Sequence, residues 1–200
     1  MGTTVNRATV VEHARLEDSR AIAGLHIQGL RDGFLSSIGA RFLTRLYRAM
    51  IASPEAIVLV AREGAITGFA AAAVNPDQFW RDFLRRRLLQ VAPFLAVQAW
   101  RPRVAKRMLE VARHLKREES LSPQLLAIVV GTPARRAGLG GHLVSRLEEE
   151  LRRRNAQQLT VSVRDKNQAA RRFFERLGFH PLGRLDVHEG QPSLRYVRVL

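Results

Sequence analysis

The sequence predicts a mixed α/β domain, and three observations carry that prediction. Short apolar runs rich in Ala, Val and Ile alternate with segments whose apolar residues recur every three or four positions, so strands and helices interleave. Between Gln124 and Arg164 an apolar run, a glycine-rich turn, a helical stripe and a second apolar run follow one another without interruption. The chain has 200 residues, 46% of them hydrophobic, which is enough for one core without disulfide or metal staples. Residues 1–200 therefore read as a single domain.

In chain order, Thr9–Ala14 alternates around Val10 and Val11 and reads as the first strand. Glu17-Asp18 opens a helix, acids being favoured at the positive end of its dipole, and Ile22, Leu25, Ile27 and Leu30 continue it. Gly33 and Gly39 interrupt the chain before a second amphipathic helix with Phe42, Leu43, Leu46, Tyr47 and Met50, which Pro54 ends. Ala56–Ala61 and Ile66–Val74 are strands joined by Arg62-Glu63-Gly64-Ala65, a hairpin signal.

Residues 76–123 are different in kind. They are Arg-rich, and Trp80, Leu84, Leu88 and Val91, then Val104, Met108, Val111 and Leu115, keep helical spacing around Pro93 and Pro102. The reading is an insertion of two or more helices. Gln124–Val130 follows as a buried strand, Gly138–Arg154 as a helix, Leu159–Arg164 as a strand and Asn167–Leu177 as a helix. Leu182–Val187 and Leu194–Val199 close the chain as strands.

Composition removes several classes of function. There is no Cys, hence no thiolate nucleophile, thiolate metal site or disulfide framework, as suits a reducing cytoplasm. His13, His26, His114, His142, His180 and His188 are scattered, with no pair at helical spacing, so no metal is expected. Residues 1–20 carry charges throughout, and no apolar run approaches the roughly 20 residues of a membrane helix. The expectation is a soluble, cytoplasmic protein. Net charge is +15, divided as +2 over residues 1–75, +6 over 76–130 and +7 over 131–200. Such a field favours anionic ligands and disfavours polycations. Because 30 of the 33 basic residues are Arg, a general compositional bias explains the excess equally well.

The chemistry centres on Leu125-Leu126-Ala127-Ile128-Val129-Val130 and the loop that follows it. Leu139, Leu143, Leu147 and Leu151 then mark one stripe of a helix. A helix start leaves backbone N–H groups unpaired at the positive end of the dipole, which suits phosphate oxygens. Glycines at 138, 140 and 141 allow a ligand close to the backbone, so residues 135–141 form a candidate anion cradle.

Arg135-x-x-Gly138-x-Gly140 resembles the pyrophosphate-binding motif of the GNAT acetyltransferases, Gln/Arg-x-x-Gly-x-Gly/Ala. Asn167-Gln168-Ala169-Ala170-Arg171-Arg172-Phe173-Phe174, ending in Gly178-Phe179, is similar to the second signature of that family. The intervening helix and strand also match, and the resemblance covers most of the chain outside residues 76–123. It implies a central mixed, mostly antiparallel sheet splayed in the middle and flanked by helices, with the helical insertion between the third and fourth strands. It further implies that acetyl-CoA is the acyl donor and a small-molecule or peptide amine the acceptor. Ile128, Val129 and Val130 would run beside pantetheine, and Arg135, Arg136, Ala137, Gly138, Leu139, Gly140 and Gly141 would hold pyrophosphate. Asn167, Ala170, Phe173 and Phe174 would complete the cofactor wall.

Several residues also have purely structural readings. Phe173, Leu177 and Phe179 read as core, Gly178 as a helix-ending glycine, and Arg152-Arg153-Arg154 as cations at a helix C-terminus. His142 reads as facing solvent or a neighbouring strand, and Arg85-Arg86-Arg87 as a solvated face. The sequence departs from the family at two places. Phe174 stands where many members have a Tyr that protonates the leaving thiolate, and Phe has no proton to give. Gln124 opens the central strand where several relatives carry a Glu base. Tyr47, Gln124 and Ser162 are the remaining catalytic candidates, with Ser120 able to order a water, and the expected route is water-mediated deprotonation.

Three readings follow. The first is an active N-acetyltransferase; the second is a non-catalytic acyl-CoA-binding or regulatory module. The third, nucleic-acid binding, rests on charge alone and lacks both a recognised motif and interleaved aromatics. The insertion is expected to turn Trp80, Phe83, Phe94 and Trp100 inward, covering the acceptor side of the cleft or pairing subunits in a homodimer.

Overall fold

A computed structural model describes residues 9–31, 33–86, 123–132, 138–185 and 192–200. Seven strands form one sheet in the order β1-β2-β3-β4-β5-β7-β6. They are β1 Val10–His13, β2 Ala56–Glu63, β3 Ala65–Ala73, β4 Gln124–Val130, β5 Gln158–Arg164, β6 His180–Leu185 and β7 Ser193–Val199. Every neighbouring pair is antiparallel except β4–β5, which is parallel. Helices α1 Ser19–Gly29, α2 Phe34–Ile38 and α3 Ala40–Ile51 precede β2, and α4 spans residues 76–86. Helix α5, Leu139–Arg153, connects β4 to β5, and α6, Gln168–Arg176, connects β5 to β6. The mostly antiparallel mixed sheet matches the expected architecture.

Both faces of the central strands are covered, which explains why their sequences are continuous apolar runs rather than alternating ones. Val58, Val60, Phe69 and Ala71 meet Ile22, Phe42, Leu43, Leu46 and Tyr47 of α1 and α3 in one core. Ile57, Leu59, Ala70 and Ala72 meet Leu139, Leu143, Leu147 and Leu151 of α5 in the other. The four leucines spaced by four are all buried, so the stripe seen in sequence is the buried face of α5.

Helix α6 ends as the sequence suggests. Gly178 adopts φ +79°, and the N–H groups of Gly178 and Phe179 bond back to the carbonyls of Glu175 and Phe174. Tyr196 of β7 donates to Glu175 (2.8 Å) and accepts from Arg171 Nε (3.2 Å), which fixes α6 against the sheet.

Three features differ from the expectation. Helix α2 is an extra turn between Gly33 and Gly39, too short at five residues to display a period. Strand β6 begins at His180 rather than Leu182, because on the outer edge of the sheet the missing N–H of Pro181 costs no ladder bond. Residues 186 and 187, read as its end, lie outside the described residues, as do residues 87–122 of the insertion with Phe94, Trp100 and Ser120. Of the insertion's aromatics, Phe79 and Phe83 are buried and Trp80 is half-buried, and Phe83 meets Phe42 of α3 edge-on. Among the described residues no helix is long and apolar enough to cross a membrane.

Candidate functional site

Strands β4 and β5 pair only at Gln124–Thr160 and Leu125–Val161, and then part. The cause lies on the other side of β4. Its register with β3 runs Ala72↔Leu125 and then Ala71↔Ala127, so Leu126 is an inserted residue with no opposite number. A bulge of this kind bends the strand and shifts its phase. Leu125 belongs to the α5 core, whereas Leu126 and Ala127 both pack on the α1 side, and Ile128 returns to the α5 side. Beyond the bulge Gly131 N–H donates to Thr67 O at 2.7 Å, so alternation places the peptide groups of Val129 on the β3 edge. Those of Ile128 and Val130 turn toward the gap left by β5.

The start of α5 stands at the open end of this gap. Gly138 is its N-cap, with φ +77°, a left-handed conformation that a residue with a Cβ rarely adopts. Among the described residues the first bond of the helix is His142 N–H to Gly138 O, and the N–H groups of Leu139, Gly140 and Gly141 stand in the first turn, at the positive end of the dipole. A Cβ on Gly140 would lie 3.1 Å from the ring of Phe173 and 3.8 Å from Val130. The end of β4, the start of α5 and the face of α6 thus converge. Asn167 caps α6, its Oδ1 accepting from Ala170 N–H at 3.1 Å, which leaves the amide Nδ2 to donate elsewhere.

The residues inferred from sequence therefore divide. Ile128, Val130, Leu139, Gly140, Ala170 and Phe173 meet on the α5 side of the gap. Gly138 and Gly141 begin the same helix, and His142 beside them is exposed. Val129 is turned away, its side chain under Gly29 of α1. Phe174 is buried against Phe173 and Phe179, as a core residue. Arg135, Arg136 and Ala137 lie outside the described residues.

Of the catalytic candidates, Gln124 stands at the apex where β4 and β5 meet, and Ser162 is exposed on β5 just past the point of parting. Tyr47 sits deep in the α1–α3 core, its hydroxyl 2.6 Å from His26 Nδ1. Burial raises the Tyr47 pKa, so the phenol keeps its proton, and burial lowers that of His26 to about 4, so the ring is neutral. Which group donates depends on the histidine tautomer. Sequence reasoning missed this pair, although His26 follows Ile22 by four residues and so shares its buried face. It also missed the bulge, for which a uniformly apolar strand offers no signal.

A parallel strand pair that parts beside a glycine-opened helix start, within a mostly antiparallel sheet, defines the class of α/β fold. The family model of the GNAT acetyltransferases matches residues 27–179, and the chain belongs to that family. No curated protein matches it significantly. Among solved structures it is similar to a GNAT-family protein from Desulfovibrio desulfuricans (16% identity, 96% of this chain and 99% of that one, TM-score 0.64). It is also similar to the ribosomal-protein-S18-alanine N-acetyltransferase of Escherichia coli (16%, 96% and 93%, TM-score 0.58). A third similar structure is an aminoglycoside 6′-N-acetyltransferase complexed with coenzyme A (13%, 95% and 96%, TM-score 0.63). At these identities the likeness speaks for the fold.

Proposed function

We propose that this acetyltransferase-family protein transfers an acetyl group from acetyl-CoA to an amine. The observation that carries the reading is the parting of β4 from β5 after Leu125–Val161, with the start of α5 at its open end. Peptide groups of Ile128 and Val130 then serve the pantetheine arm, N–H groups at Leu139–Gly141 serve the pyrophosphate, and Asn167 Nδ2 adds a side-chain donor. Binding in this way holds the thioester where an amine attacks it directly. The C–N bond forms, the C–S bond breaks, and the amine's proton leaves to water while the thiolate departs.

No acid stands on β4, β5, β6 or β7, so no carboxylate of these strands serves as base. With Phe174 in the core and an amide at Gln124, deprotonation runs through water ordered at the gap. A positioned acid or base is worth about 10²–10⁴-fold, so such an enzyme is slow rather than inert. The second reading, a non-catalytic acyl-CoA-binding module, is favoured by the burial of Phe174. Release of CoA thiol from acetyl-CoA on addition of primary amines supports transfer. Stabilisation by acetyl-CoA without release from any amine supports the module, and neither effect removes both.

A further inference from the structure

Where α6 ends and β6 begins, a recess of about 590 Å³ opens against β7, lined by Arg176, Leu177, Gly178, His180, Arg198 and Val199. Gly178 takes φ +79°, so the chain turns from α6 into β6 with no side chain at the turn. The N–H groups of Leu177, Gly178 and Phe179 bond back to Phe173, Phe174 and Glu175, so those carbonyls at the end of the helix are already taken.

Arg198 is fixed from behind by a buried carboxylate. Glu148 of α5 is only 3% exposed, and its Oε1 stands 3.1 Å from Arg198 Nε. That oxygen makes no hydrogen bond among the described residues, so the guanidinium is its counter-charge. Arg152 Nη2 approaches the other oxygen of Glu148 at 3.7 Å. Arg198 Nη1 lies beside Gly178, 3.7 Å from where a Cβ would stand. With Nε turned to Glu148, the edge formed by Nη1 and Nη2 remains for a second oxyanion.

The other polar groups of the recess are cationic or neutral. Arg176 in the last turn of α6 and His180 at the start of β6 are exposed, and neither side chain has a partner among the described residues. Glu175, next to Arg176, is turned to the hydroxyl of Tyr196. The guanidiniums of Arg152, Arg176 and Arg198 therefore stand around the single buried carboxylate of Glu148. Leu177 and Val199 supply apolar walls, Val199 with 78% of its surface exposed. Leu177 also divides the recess from the cradle, its Cδ2 3.8 Å from where a Cβ on Gly141 would stand. Glu148 lies two turns further along α5, about 10 Å from Gly141.

We propose that this recess is a second ligand site, separate from the cradle, and that it takes a phosphate monoester. The phosphate oxygens meet Arg198 and Arg176, and the organic part lies on Leu177 and Val199. Such a phosphate carries about −1.5 to −2 charges at pH 7, which matches two guanidiniums better than one carboxylate does. The site does not depend on the acetyltransferase reading.

Calorimetry with phenyl phosphate, inorganic phosphate and benzoate tests it, each with and without saturating CoA. Phenyl phosphate should bind under both conditions, about fivefold more tightly than inorganic phosphate through its apolar contact and about tenfold more tightly than benzoate. Arg176→Gln should weaken it about tenfold. Arg20→Gln, which removes the same charge from an exposed position on α1, should leave it unchanged. Arg198→Gln should abolish binding; because it also strips Glu148 of its partner, a melting curve accompanies it, and Arg176→Gln decides alone where it does not fold. Competition with CoA assigns the anion to the cradle and overturns the proposal. So do equal losses in Arg176→Gln and Arg20→Gln, benzoate or inorganic phosphate binding as tightly as phenyl phosphate, or no binding of phenyl phosphate at millimolar concentration.

Discussion

Acidification should destabilise this fold through one buried residue, His26. Its folded pKa is lowered from 6.5 to about 4 by burial between α1 and the sheet. Between those values the unfolded chain binds a proton that the folded chain refuses. Stability is therefore complete above pH 6.5 and falls as the pH drops toward 4. At ~1.4 kcal/mol per pH unit the loss between pH 7.5 and 4.5 is about 2.5 kcal/mol, a large share of the 5–15 kcal/mol typical of a domain. Urea unfolding at several pH values measures it, and His26→Asn isolates it. Asparagine places an oxygen and an N–H near the position of Nδ1, keeps Tyr47 bonded, and does not titrate. The wild-type curve should steepen relative to the variant below pH 6.5. Parallel curves would refute the assignment of a buried, neutral His26.

Other substitutions separate packing from binding at the cradle. Gly140→Ala puts a methyl 3.1 Å from Phe173 and should cost about 1–3 kcal/mol of stability. Adding Phe173→Leu should restore the melting temperature but not acetyl-CoA affinity, and recovery of both would show that Gly140 serves packing alone. Asn167→Ala should lose about 1 kcal/mol with the cap of α6. Asn167→Asp keeps the cap and removes the Nδ2 donors, so it should bind acetyl-CoA more weakly at unchanged thermal stability, as calorimetry can test. Gly138→Ala forces a Cβ into φ +77° and should cost about 1–2 kcal/mol, with a matching fall in affinity; wild-type binding would place the cradle elsewhere.

What the sequence disclosed and what it concealed divide along a physical line. Features written within a few residues were legible, among them the α5 stripe of Leu139, Leu143, Leu147 and Leu151. The β2–β3 hairpin and the Gly178 terminus of α6 were equally so. Features set by a distant partner were not. The phase of β4 depends on how β3 pairs with it, and Leu125-Leu126-Ala127-Ile128 looks the same with or without a bulge. The union of His26 with Tyr47 spans 21 positions and needs α1 laid against α3. The register position of Arg195 between Ser162 and Gly183 exists only because β7 enters the sheet between β5 and β6. At the cradle, motif spacing led to Gly138 and Gly140, yet only the packing of Phe173 shows why a side chain at 140 is costly.

The bulge at Leu126 has a consequence for how such a chain can change. Without that residue, Leu125, Ala127, Ile128 and Val129 would alternate strictly, and each would keep the core it occupies now. The edge of β4 would then run in step with β5, and the ladder begun at Leu125–Val161 would continue. One deleted codon would zip the opening shut while the hydrophobic interior stayed intact. The parting of β4 from β5 is thus a matter of counting rather than of composition.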